Sequence, residues 1–175
     1  MISVDTNVLI WGVQHRSAIG REHMIPIAKA FFAHVRDDKI PVVIPAQVLA
    51  EFLVLGTQEE RDDALRKLDN NFVIAPLDFL AATIASELAA NKKLLHDAKA
   101  EFGLTREIVK ADIKVIAISM ASGATRLITG NTKEMKSLAQ GKIIVDDIEE
   151  FVAKIAVKPP SPDPAKQKSF PGLGN

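Results

Sequence analysis

Three carboxylates in this sequence stand where apolar side chains belong, and a fourth polar cluster joins them. Asp5 follows Ile2-Ser3-Val4 and precedes Thr6-Asn7 and the run Val8-Leu9-Ile10-Trp11. It therefore sits at the carboxyl end of a short strand, the edge at which parallel α/β sheets bind ligands. A helix N-cap is the other reading of the same residue. Glu51 lies in Pro45-Ala46-Gln47-Val48-Leu49-Ala50-Glu51-Phe52-Leu53, on a helical stripe marked by Val48, Phe52 and Leu55. A buried, unpaired carboxylate is costly, so Glu51 needs a partner, either a metal ion or an Arg or Lys. Asp112 falls on the stripe formed by Val109, Ile113, Ile116, Ala117 and Met120. Lys110 and Lys114 project from other faces, which leaves a bound ion or a buried salt bridge with a distant cation. The fourth cluster is Thr129, Asn131 and Glu134, after Arg126-Leu127-Ile128. Gly130 is expected to let the chain turn there, and capping of the next helix is the alternative role for the cluster.

The elements that must position these residues alternate short apolar runs with longer helical patterns. Strands are expected at 2–4, 40–44, 72–77, 126–129 and 142–145, and helices at about 25–36, 45–56, 58–70, 77–101, 105–122 and 133–138. That alternation predicts an α/β fold, three layers with a central parallel sheet of about five strands and helices on both faces. The acids then converge on one edge of one sheet. Several like charges cannot share a small site without a cation. The sequence has no cysteine, so any metal must be held by oxygen or histidine, which favours Mg²⁺ or Mn²⁺. Mg²⁺ typically combines one or two carboxylates with water and substrate phosphate, which points to phosphoryl chemistry.

Composition is consistent with one folded domain. The 175 residues carry 22 Lys+Arg against 22 Asp+Glu and are 47% hydrophobic, which supports a core and argues against a strongly basic nucleic-acid binder. No membrane span and no signal peptide are expected, so the chain reads as soluble and cytoplasmic. The domain is expected to cover 1–157. The segment 158–175, with Pro159-Pro160-Ser161-Pro162-Asp163-Pro164 and Pro171-Gly172, reads as an extended Pro-rich tail. The four histidines share no ligand spacing, and Trp11 reads as core rather than as a base-stacking platform.

Four segments together resemble the PIN-domain family. Val4-Asp5-Thr6-Asn7-Val8-Leu9-Ile10 is similar to its first motif, and Pro45-Ala46-Gln47-Val48-Leu49-Ala50-Glu51-Phe52 to its second. Lys110-Ala111-Asp112-Ile113-Lys114-Val115-Ile116-Ala117 is similar to the third, and Leu127-Ile128-Thr129-Gly130-Asn131-Thr132-Lys133-Glu134-Met135 to the fourth. Order and spacing agree over about residues 1–152. The resemblance implies a five-stranded parallel sheet and a metal-dependent ribonuclease. By match, Asp5, Glu51 and Asp112 would be the core acids holding one Mg²⁺ or Mn²⁺, and Thr6 and Thr129 would orient ligands or water. The fourth position, usually aspartate, is Asn131. Glu134 matches the acidic residue that a branch of the family carries three positions on, and it would help to hold a second ion. In-line attack would leave a 5′-phosphate and a 3′-hydroxyl. The resemblance also implies an RNA substrate, a homodimer and, for the toxins of VapBC-type toxin–antitoxin pairs, an antitoxin segment entering the acidic site. Arg16, Arg21, Lys110 and Lys133 are candidates to grip the RNA backbone.

Other readings compete. A PIN-like domain that has lost activity could serve as an RNA-binding or assembly module, which Asn131 keeps open. A phosphatase of the haloacid-dehalogenase type also begins with a strand ending in Asp, but it needs a second Asp two residues later, where this chain has Asn7. A phosphate-receiving regulator would need its acceptor Asp on a later strand.

Overall fold

The computed structural model describes residues 1–54, 56–69 and 71–156. The expected tail at 158–175, and Leu55 of the Glu51 stripe, lie outside the described residues. The chain forms β1 (Ile2–Val4), α1 (Thr6–Leu9), a π-helical segment (Ile10–Gln14), α2 (Met24–Asp37), β2 (Val42–Pro45), α3 (Ala46–Val54) and α4 (Gln58–Asp69). There follow β3 (Val73–Ala75), α5 (Phe79–Ala90), α6 (Lys92–Phe102), α7 (Arg106–Ala121), β4 (Arg126–Thr129), α8 (Thr132–Ala139), β5 (Ile144–Asp147) and α9 (Ile148–Ala156).

The five strands form one parallel sheet in the order β3-β2-β1-β4-β5. Ile2-Ser3-Val4 and Val42-Val43-Ile44-Pro45 are buried throughout, as expected of central parallel strands covered on both faces. At the edges Val73 and Ile144 are half exposed. The chain steps from β1 to β2 and β3 on one side, then returns to place β4 and β5 on the other. The gap between the carboxyl ends of β1 and β4 is therefore the topological switch point, where ligands of open α/β sheets bind. Register fixes it: Val4 pairs with Ile128, so Asp5 and Thr129 leave the sheet side by side.

Several boundaries depart from expectation. The helical stretch at 77–101 is two helices. Asn91 leaves helical geometry at ψ 72° and its side chain accepts a hydrogen bond from the Leu94 amide, ending α5 and capping α6. Pro45 ends β2, where it pairs with Ala75, and does not open α3. The last strand lies two residues later than 142–145 and takes in Asp146 and Asp147. α9 was not expected, and the helical turns after Asp5 were anticipated only by its alternative reading as an N-cap. Phe151 of α9 meets Phe31 of α2 edge to face, ring centroids 5.7 Å apart. No helix among the described residues is long and apolar enough to cross a membrane.

Candidate functional site

Asp5 takes the capping role and also reaches across the sheet edge to Thr129. Its Oδ1 caps α1, accepting from the Thr6 amide at 2.7 Å. Its Oδ2 accepts from the Thr129 hydroxyl at 2.7 Å, across the switch point. The residue is 5% exposed. Thr129 Oγ1 in turn accepts from the Asn131 amide at 2.9 Å. The Asn131 side chain makes no capping bond at the start of α8, although capping was the alternative role for this cluster. Gly130 does not adopt a left-handed conformation, contrary to the turn argument. It is glycine because a Cβ there would lie 2.4 Å from Trp11 Cη2. Trp11, 3% exposed and carried by the π-helical segment, is core as expected and packs against the backbone that positions Thr129 and Asn131.

Glu51 is half buried one turn into α3 beyond Gln47. Its Oε2 accepts from the Thr6 hydroxyl at 2.7 Å and its Oε1 from Gln47 Nε2 at 2.9 Å. Among the described residues no Arg or Lys pairs with it, so the ion-pair alternative falls away. Its partners are neutral donors that steer the carboxylate without cancelling its charge. Thr6 thus links the two acids, donating its hydroxyl to Glu51 and its amide to the Asp5 carboxylate.

Asp112 sits half buried on α7, the long helix that returns the chain from β3's side of the sheet to β4. Val109, Ile113, Ile116 and Ala117 are buried around it, and so are Val115, Ile118 and Ser119, which makes the helix apolar on more sides than the single stripe predicted. Met120, placed on that stripe, is only half buried. Among the described residues no hydrogen-bond donor and no cation engages the Asp112 carboxylate, so the distant salt bridge is not found either. Burial, then the neighbouring charges of Asp5, Glu51 and Glu134, push its pKa up to about 7. Asp5 is raised too, chiefly by burial, against the lowering effect of its Thr129 and Thr6 hydrogen bonds. Asp5, Glu51 and Glu134 thus act on Asp112, and among the described residues no basic side chain is ion-paired with any of the four.

Among the described residues no group of three or more Asp, Glu or His side chains is disposed to hold a metal ion. The donor set is nevertheless of hard oxygens only. Asp112 offers a carboxylate with no protein donor, and excess negative charge is what a divalent cation relieves. An open site of this kind fits an ion that keeps several waters.

Of the cations expected near this edge, Arg16 is ion-paired with Glu60 and is not free. Arg21 and Lys133 line a shallow depression of about 490 Å³ together with Asn131, Glu134 and Asp147. Asp147, at the carboxyl end of β5, accepts from the Thr132 hydroxyl at 3.0 Å. Sequence reasoning passed over it because the strand was placed too early. Gln47 was also missed, although its i, i+4 spacing to Glu51 was a usable signal. A cavity of about 600 Å³ beside Phe32 and Phe72 is lined by none of the acids.

Residues 2–140 match the model of the PIN domain. The chain belongs to the PIN-domain family. Its structure is similar to a chain of the VapBC2 complex of Rickettsia felis bound to a DNA fragment from their promoter, with a TM-score of 0.57 and 17% identity, covering 84% of this chain and 98% of that one. It is similar also to a chain of DNA-bound VapBC from Salmonella typhimurium, with a TM-score of 0.58 and 14% identity, covering 84% and 97%. At such identities the likeness is one of fold, and it agrees with the five-stranded PIN-like sheet expected from sequence. No curated protein matches this sequence.

Proposed function

We propose that this PIN domain is a divalent-metal-dependent endoribonuclease. The observation that carries the reading is Asp112, a half-buried carboxylate on a largely buried helix that feels the charges of three other acids and, among the described residues, has no cation paired with it. Asp5, Asp112 and Glu51 would hold Mg²⁺ or Mn²⁺, with Glu134 and Asn131 beside them. When bound, the ion supplies Lewis-acid charge and a water of lowered pKa for phosphodiester hydrolysis. The protein's own contribution is orientation. Thr129 fixes the rotamer of Asp5, and Thr6 with Gln47 fixes that of Glu51, so the acids meet the ion without rearrangement. Trp11 against Gly130 holds the turn that carries Thr129 and Asn131.

The fold shared with VapBC complexes supports a role as the toxin of a toxin–antitoxin pair, with RNA as substrate and an antitoxin protein as partner. A homodimer fits the exposed apolar side chains Val73, Ile74, Leu77, Phe79 and Leu80 around the edge strand β3. On this reading residues 1–157 are taken as a single PIN unit, and cytoplasmic residence follows from that role.

The deciding experiment is calorimetric titration of Mn²⁺ into the wild type and Asp112→Asn, with a single-stranded RNA cleavage assay alongside. Saturable binding and cleavage, both lost in the variant, are expected. A folded wild type that neither binds Mn²⁺ nor cuts RNA would sink the enzyme and leave an RNA-binding or assembly module.

A further inference from the structure

Residues of α6 and of the first half of α7 enclose a groove of about 370 Å³ that the acidic site does not use. Leu95, Val109 and Ile113 give it an apolar floor, and no acidic residue lines it. Its rim is basic: Lys92, His96 and Lys99 from α6, Arg106 and Lys110 from α7. Among the described residues, Lys92, Lys99, Arg106 and Lys110 have no ion pair or hydrogen bond from their side chains. Lys92, His96 and Lys99 share one face of α6 by their i, i+4, i+7 spacing, whereas Asp97 and Glu101 lie roughly 140–180° around the helix from Lys92.

This arrangement is unfavourable for the isolated fold. Lys92 and Arg106 are the first residues of their helices, where the helix dipole disfavours cations. Arg106 and Lys110 are like charges at i, i+4, which destabilises a helix. Two positive helix ends and four lone cations facing one groove make a local positive field in a chain of zero net charge. A polyanion is the ligand that relieves it.

The placement says which polyanion. α6 packs on both α7 and α8, the helices that carry Asp112 and Glu134. Arg106 is six residues, roughly 9 Å of helix axis, from Asp112, and the groove face lies roughly 60–160° around α7 from that carboxylate. Four carboxylates repel a phosphodiester strand, so a site that acts on one needs a cationic track leading to it.

We infer that the α6–α7 groove binds the phosphate backbone of a single-stranded RNA whose reacting phosphate lies at the acidic site. The inference rests on the ribonuclease reading. Contacts of this kind position a strand without reading its sequence.

The test compares Asp112→Asn chains with and without Lys99→Ala, Arg106→Ala and Lys110→Ala, and with Lys93→Ala as an exposed control off the groove. Binding of a fluorescein-labelled single-stranded RNA is followed by anisotropy over a range of salt. The triple alanine variant is expected to bind at least about tenfold more weakly and to lower the slope of log K against log salt by about 2, at about 0.7 per phosphate contact on single strands. Lys93→Ala should change neither. Wild-type-like affinity and slope in the triple variant, or no RNA binding by its parent, would overturn the inference. If RNA binding is untouched but binding of a poly-glutamate peptide is lost, the groove belongs to an acidic protein partner and the RNA assignment fails. Mn²⁺-dependent hydrolysis of bis(p-nitrophenyl) phosphate, with Asp112 intact, separates the two readings. The triple variant should keep wild-type activity on this small diester while losing kcat/KM on RNA. A wild type inactive on both substrates would remove the nuclease, while a groove-dependent salt slope would still establish the RNA track.

Discussion

The hydroxyls of Ser119 on α7 and Ser3 on β1 are hydrogen-bonded at 2.7 Å, both fully buried, and Ser119 also bonds the Val115 carbonyl at 2.7 Å. Ser3 and Asp5 are two residues apart and share a strand face, while Asp112 and Ser119 are seven apart and share a helix face. The bond therefore ties α7 to the sheet in the register that brings Asp112 towards Asp5. Ser119→Ala would leave the Ser3 hydroxyl buried without its partner, at a cost of about 1–3 kcal/mol. The double variant Ser3→Ala/Ser119→Ala should lose less than the sum of the singles, because both singles remove the same bond and only Ser119→Ala strands a hydroxyl, Ser119 keeping its bond to the Val115 carbonyl when Ser3 is replaced. A urea-unfolding double-mutant cycle measures this. Strict additivity would show that the two hydroxyls do not act as a unit.

Gly130 against Trp11 gives a prediction with a built-in reporter. A Cβ at residue 130 would come within 2.4 Å of the indole, and the chain has one tryptophan. Gly130→Ala should displace the ring, shift its fluorescence and destabilise the fold by about 1–3 kcal/mol, the usual range for overpacking. An unchanged emission spectrum at wild-type stability would mean that the ring has room to retreat.

How much of this was legible beforehand differs by element. β1 and β4 were read to the residue because both are short apolar runs ending at polar ones. β5 was displaced because its last two residues are Asp146 and Asp147, which look like loop unless the sheet edge is known to be polar. α9 was missed although it lies inside the expected domain and Ile148, Phe151, Val152 and Ile155 repeat at helical spacing. Asp5, Glu51 and Asp112 stood out because a charge on an apolar stripe demands compensation. Thr6 and Thr129 were also singled out, by the family resemblance, but which acid each one holds was not. Thr129 reaches Asp5 across 124 residues and Thr6 reaches Glu51 across 45, and such pairings follow from strand order, which local pattern does not encode.

The elevated pKa of Asp112 fixes the sign of a pH effect. Without metal, its carboxyl titrates near 7 in the folded chain against 3.8 for the ordinary side chain. Between those values the folded state holds the proton more tightly than the unfolded state, so stability falls as pH rises from about 4 to about 7. The full penalty is present above 7 and absent below about 4. This carboxyl contributes at most ~1.4 kcal/mol per pH unit across that window. Asp112→Asn should flatten that slope and leave the metal-free protein more stable than wild type at pH 8. Thermal unfolding in EDTA from pH 4.5 to 8 checks it, and parallel curves for the two proteins would refute it.

Thr129 is the hinge between Asp5 and the α8 turn, donating to Asp5 Oδ2 and accepting from the Asn131 amide. Thr129→Val keeps the shape and removes both bonds. Asp5 loses the first of the interactions that hold its pKa down, so it should titrate higher still and bind a cation more weakly. Thr129→Ser restores the hydroxyl and should restore affinity. Expected for Thr129→Val is a roughly tenfold or greater loss in Mn²⁺ affinity, as for other residues that orient metal ligands, recovered in Thr129→Ser. Equal affinities across the three, measured by calorimetry at a temperature where all remain folded, would mean that Asp5 is held by its cap on α1 alone.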